Sequence, residues 1–128
     1  MRRDHGLRAV RASGRLSLAA RRHSRDMAVH DFFAHESPGG GDVRSRVADA
    51  GYLGGVREWW LGEALAWGQA RAGAPRAILR GLLASPPHRA IILDPRFRDL
   101  GVGVAKGAPQ GSSRGALTVT LDFGRVRR

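Results

Sequence analysis

Three titratable side chains could do chemistry in this sequence, and each stands in a run that otherwise reads as packing. His35 lies in Asp31-Phe32-Phe33-Ala34-His35-Glu36-Ser37-Pro38, Glu63 in Leu61-Gly62-Glu63-Ala64-Leu65-Ala66-Trp67, and His88 in Ser85-Pro86-Pro87-His88-Arg89. Two neutral imidazoles and one carboxylate are an acceptable ligand set for a divalent metal such as Zn²⁺, with a position left for water. Without metal, the same groups could order a network of water. The expectation is that His35, Glu63 and His88 converge in one cleft, as metal ligands or as the catalytic groups of any reaction there.

The residues by themselves leave other roles open. Either histidine equally suits a hydrogen-bonded imidazole that fixes a loop or caps a helix, and Glu63 suits a carboxylate holding the amides of a neighbouring loop. A hydrolase would need an activated water or nucleophile beside an oxyanion donor, and neither Gly-x-Ser-x-Gly nor His-Glu-x-x-His occurs. Ser37 is the hydroxyl nearest His35 in sequence. Glu36 reads as a surface or capping acid, His5 and His30 as exposed, and Trp59, Trp60 and Trp67 as core or cleft wall.

Several elements must position these groups. Leu16, Ala20, His23 and Met27 share one helical face, which predicts a helix over about 16–32. The run Ser37-Pro38-Gly39-Gly40-Gly41-Asp42 is a turn, with Asp42 able to cap a two-turn helix bearing Val43, Val47 and Ala50 and ending at Gly51. Residues 56–67 are ambiguous, strand-like at Trp59-Trp60 and helix-like at Glu63-Ala64-Leu65-Ala66, so Glu63 is placed at an extended-to-helical junction. Ala74-Pro75 opens a helix that buries Ile78, Leu79, Leu82 and Leu83 and stops before Ser85-Pro86-Pro87. Ser85 then caps a short helix with His88 in its first turn. Alternation in Leu100, Val102 and Val104 and in Leu117, Val119, Leu121 and Phe123 predicts a hairpin joined by a polar loop at 106–115.

Composition bounds the answer. A chain of 128 residues with 42% hydrophobic residues forms one domain with one core. The net charge of +11 is carried by arginine, since Lys106 is the sole lysine. Those arginines are scattered and not interleaved with aromatics in sequence, which favours a solvated basic face over a specific nucleic-acid reader. Without cysteine, any metal rests on nitrogen and oxygen ligands. No apolar run approaches membrane-spanning length, and the first residues show no signal-peptide core. Helices followed by strands, without βαβ alternation, indicate an α+β sandwich with a mainly antiparallel sheet.

The motifs fall in a familiar order. Asp26-Met27-Ala28, Phe32-Phe33-Ala34-His35-Glu36-Ser37-Pro38, Ala50-Gly51-Tyr52, Gly62-Glu63, Ser85-Pro86-Pro87-His88-Arg89, Leu100-Gly101-Val102-Gly103-Val104 and Asp122-Phe123-Gly124 resemble the successive motifs of the CAP superfamily (cysteine-rich secretory, antigen 5 and pathogenesis-related proteins). The likeness is greatest to its cysteine-free bacterial SCP-like, YkwD-type branch and covers about 16–124. It implies a three-layer α-β-α sandwich with a central antiparallel sheet and a large cleft, with His35 and His88 as the two cleft histidines and Glu63 as the cleft glutamate. It also implies an extracellular or envelope location, an optional divalent metal, and ligands among sterols, other lipids or envelope components.

The sequence departs from the family pattern at Ala64 and Ile91, where asparagine is frequent, and at Leu82, where tryptophan is frequent. No acidic residue in the helix over 75–84 supplies the family's second cleft acid. Residues 1–7 resemble the end of the family's first helix, which suggests a chain shortened at that helix and lacking its export signal. Two functions follow as expectations: a noncatalytic extracellular domain binding a small or polymeric ligand, or a metal-dependent hydrolase of peptide or envelope material with Glu63 as the water-polarising base. A third, a basic nucleic-acid accessory, would require salt-sensitive binding.

Overall fold

The computed structural model describes residues 2–69, 74–109 and 115–128. Helix α1, Gly14–His30, starts where the Ser13 side chain accepts a hydrogen bond from the Leu16 amide. It ends at Asp31, whose left-handed φ of 54° turns the chain toward His35. Both ends lie about two residues earlier than the apolar stripe predicts, because the polar caps set them. The buried face carries Leu16, Ala20, His23 and Met27, as the spacing predicts, together with Ala19 and Ser24.

Strand β1, Arg11–Ala12, pairs in parallel with β3, Asp99–Lys106, and β3 pairs antiparallel with β4, Ala116–Arg127. The helix α1 lies directly on this part of the sheet. A Cβ at Gly101 would come within 2.1 Å of the Leu16 carbonyl carbon, and one at Gly103 within 2.1 Å of that of Ala20. Only glycine permits this approach. Ser24 fastens the contact by donating to the Gly103 carbonyl at 2.9 Å. The tightest face of β3 is therefore its glycine face, whereas Val102 and Val104, on the apolar face of the alternation, are 43% and 49% exposed.

Helix α2, Val43–Asp49, is capped as expected: the Asp42 side chain accepts from the Ser45 amide while the Ser45 hydroxyl accepts from the Asp42 amide. Gly51, with φ of 89°, follows its end. The extended-to-helical junction at Glu63 does not form. Residues Glu58–Gln69 are one strand, β2, paired one-to-one along all 12 residues with β4. Helix propensity differs by only a few tenths of a kcal/mol per residue, so a full ladder and two buried faces override it at Glu63-Ala64-Leu65-Ala66.

Helices α3, Ala74–Ala84, and α4, Pro86–Ile92, follow on the far side of the sheet. Ser85 sits at the N-cap of α4 but makes no side-chain bond there; Pro86 opens the helix. The result is three layers. Leu16, Ala19, Val47 and Tyr52 form the core under α1 and α2, while Ala64, Leu82, Ile92, Phe97 and Phe123 form that under α3 and α4. The sheet order is β1-β3-β4-β2, mainly antiparallel as the sequence indicates.

Two expectations about polar segments change. Arg2 is buried at 6% exposure and donates to the carbonyls of Arg8, Ile92, Asp94 and Phe97, so the basic start of the chain is partly a structural tie and not wholly a solvated face. In the 106–115 loop, Ala108 and Pro109 are buried, while residues 110–114 lie outside the described residues.

Candidate functional site

Glu63 and Asp122 are cross-strand partners on β2 and β4, and both point toward the layer of α1 and α2. Each is surrounded by protein: Glu63 is 4% exposed and Asp122 is not exposed at all. Two carboxyls this close in a dry site do not both ionise. Burial, and then the hydrogen bond and charge of Glu63, push Asp122 up to about 9, so at neutral pH it keeps its proton. Among the described residues, neither Asp122 oxygen meets a donor from elsewhere in the fold, so its proton is directed to Glu63 as the neighbouring acceptor. Burial alone would raise Glu63 as well, but the bond from Asp122, the charge of Arg46 and the bonds from Arg46 and His35 outweigh it and hold Glu63 below its ordinary value.

Arg46 comes from α2 and closes the pair. Its Nη2 donates to both Glu63 oxygens at 2.9 and 2.8 Å, and its Nη1 reaches the Gly41 carbonyl at 3.2 Å. His23, fully buried on α1, donates from Nε2 to the Ala34 carbonyl at 2.8 Å and lies 3.9 Å from Glu63. Burial lowers the His23 pKa, in keeping with a neutral ring whose Nε2 carries the hydrogen. This bond steadies the segment that carries His35.

His35 meets Glu63 from the solvent side. Its Nδ1 is 2.9 Å from Glu63 Oε1, and its side chain is 59% exposed. A carboxylate only accepts, so Nδ1 must donate. In the neutral ring Nε2 is then left as an acceptor open to a ligand. Sequence reasoning joined His35 to Glu63 but missed Arg46 and Asp122. A single acid within the apolar alternation of β4 was the available signal for Asp122; nothing marked Arg46 among so many arginines.

His88 stands in the first turn of α4 and lines a cleft of about 470 Å³. Residues 65–69 of β2 form its floor, Phe33 stands on one side, and Ile78, Gly81, Leu82 and Ser85 stand on the other. The structure thus brings His35 and Glu63 into direct contact and puts His88 in the adjoining cleft, where it bonds to neither. Trp67 lines this cleft, while Trp59 is 39% exposed beneath Arg44 and half-buried Trp60 lies beneath Arg125 and Arg127. Glu36, His5 and His30 are exposed, as expected.

The three-ligand metal centre does not fit this arrangement. Both Glu63 oxygens are held by a guanidinium, whose charge opposes a cation at the same carboxylate. Among the described residues, no group of three His, Cys, Asp or Glu could hold a metal ion. Nor is Glu63 free to polarise water.

Comparison with known proteins agrees with this architecture. The sequence model of the cysteine-rich secretory protein family (CAP) matches residues 1–123. The chain is 31% identical over 102 residues to the uncharacterized protein YkwD of Bacillus subtilis, spanning 80% of this chain but 37% of that protein. It superposes on an extracellular protein containing an SCP domain from Bacillus anthracis with a TM-score of 0.77 at 28% identity, covering 99% of this chain and 36% of the other. An outer surface protein from Borrelia burgdorferi shares the fold at a TM-score of 0.77 and 16% identity, over 98% of this chain and 84% of the other. The chain therefore spans little more than a third of the two Bacillus proteins. Among the described residues, no helix is long and apolar enough to cross a membrane.

Proposed function

The chain belongs to the cysteine-rich secretory protein (CAP) family, and from that premise we propose that it is an extracellular binding domain whose cleft along β2 takes a small or polymeric ligand beside His35 and His88. The observation that carries this reading is the state of Glu63. Its carboxylate is consumed by Arg46, Asp122 and His35, so it serves as a buried anchor that orients an exposed imidazole. A cleft of this volume with mostly apolar walls and a few polar groups is the usual form of a small-ligand site. The extracellular or surface descriptions of two structural relatives support the location. The test is NMR shift mapping with soluble peptidoglycan fragments and with palmitate as probes. Shifts concentrated at residues 65–69, His35 and His88 support the proposal; saturating probe without shifts there defeats it.

One geometric observation favours a hydrolytic reading as well. A carboxylate that orients an imidazole through Nδ1 and leaves Nε2 free is the way a general base is held. In that reading His35, and not Glu63, takes the proton. Turnover of peptide or peptidoglycan substrates that is lost in His35→Ala would support it.

A further inference from the structure

The geometry points to an extended peptide as the occupant of this cleft, hydrogen-bonded through its main chain to the free edge of β2. This deepens the binding proposal above and rests on it. Among the described residues, the order β1-β3-β4-β2 leaves one edge of β2 without a neighbouring strand, although its other edge is paired along all 12 residues. Among the described residues, the main chain of β2 makes no hydrogen bond except to β4.

Natural proteins protect such edges with bulges, proline, lysine or a covering segment. Here the one-to-one register with β4 contains no bulge, and residues 58–69 contain neither proline nor lysine. The edge is covered at Glu63, Ala64 and Leu65, which are buried, and is open within the cleft at residues 66–69, where alternate residues present their donors and acceptors. Addition of a strand is a recurrent mode of peptide recognition, with main-chain bonds giving affinity and pockets for alternate side chains giving selectivity.

The walls decide what can reach that edge. Residues 65–69 lie at the cleft floor, with Phe33 rising on the side of α1 and Ile78, Leu82, Ser85 and His88 on the side of α3 and α4. Apolar walls suit apolar side chains at alternate peptide positions, and the charge of +11 favours a peptide with acidic ends.

The test uses the whole chain and a library of the form Ac-Glu-Thr-X-Thr-X-Thr-Glu-NH₂, with X varied over Val, Leu, Phe and Tyr. The best member is then N-methylated one position at a time. Methylation at amides facing β2 should weaken binding by about tenfold or more each, the scale of one lost main-chain hydrogen bond, while methylation at the intervening amides should change it little. The bound peptide should also slow hydrogen exchange at outward-facing amides within residues 66–69. Equal effects at every position, binding mapped elsewhere, or no binding by any library member would overturn the inference. If peptidoglycan fragments or palmitate still shift residues 65–69, only the peptide assignment falls; if nothing shifts them, the binding proposal falls with it.

Discussion

His35 and Glu63, 28 residues apart, are joined by a 2.9 Å bond from Nδ1 to Oε1, one partner largely in water and the other almost wholly out of it. The pair divides the site into a structural half and a working half. Below lie Glu63, Arg46, Asp122 and His23, which balance their charges within the fold. Above lie the imidazole of His35 and the cleft edged by His88.

Glu63→Gln should therefore act first on stability. It leaves Arg46, whose side chain is 12% exposed, without its counter-charge. Breaking a buried pair from one side costs roughly 3 kcal/mol, measurable by urea denaturation at neutral pH. The double variant Glu63→Gln with Arg46→Met should recover part of that loss, and a single-variant loss below about 1 kcal/mol would place the pair effectively in solvent.

Asp122 gives the pH dependence a definite sign. Its folded pKa is raised to about 9 from 3.8, so across this window the folded state holds a proton that the unfolded state has released. Its contribution to stability is fully present below the unfolded value and is lost as pH rises toward 9. Asp122→Asn mimics the protonated form, so wild type should lose stability relative to this variant by up to about 1 kcal/mol per pH unit between about pH 5 and 8. Parallel stability curves for the two proteins would contradict the assignment.

Glu63 acts in the opposite direction at the acid end. With its folded pKa lowered, it contributes stability above its unfolded value of 4.5, and that contribution disappears as pH falls through the folded value. Acid unfolding of wild type should consequently be steeper below about pH 4.5 than that of Glu63→Gln, as followed by circular dichroism.

The glycines of β3 offer a test of the fold alone. Gly103→Ala places a Cβ against the α1 backbone and should cost about 3 kcal/mol or prevent folding. Gly14→Ala, at a helix start with open space around it, should change stability by less than about 1 kcal/mol and is more apt to raise it. Thermal denaturation of the two variants settles the contrast.

Local signals in the sequence were enough for the parts whose cause is local. Asp42 sets a helix start through its own side chain, the 3.6-residue stripe marks α1, and alternation marks β3 and β4. Residues 58–69 were not legible in the same way, because Glu63-Ala64-Leu65-Ala66 is a strand only by virtue of β4, more than fifty positions later. Arg46 and Asp122 escaped notice for the same reason. A guanidinium on a short helix becomes part of the site only when the sheet brings a carboxylate beneath it. Val102 and Val104 show the reverse error, an apolar alternation that was legible while the more tightly packed glycine face was not.

The most direct measurement is the tautomer of His35 in its neutral form, read from ¹⁵N shifts and long-range ¹H–¹⁵N couplings. A ring held by Glu63 carries its hydrogen on Nδ1 and leaves Nε2 bare, and Asp122→Asn should leave that pattern intact. A ring protonated on Nε2, the same in wild type and in Glu63→Gln, would mean that Glu63 does not orient His35 and that the site is not built as described.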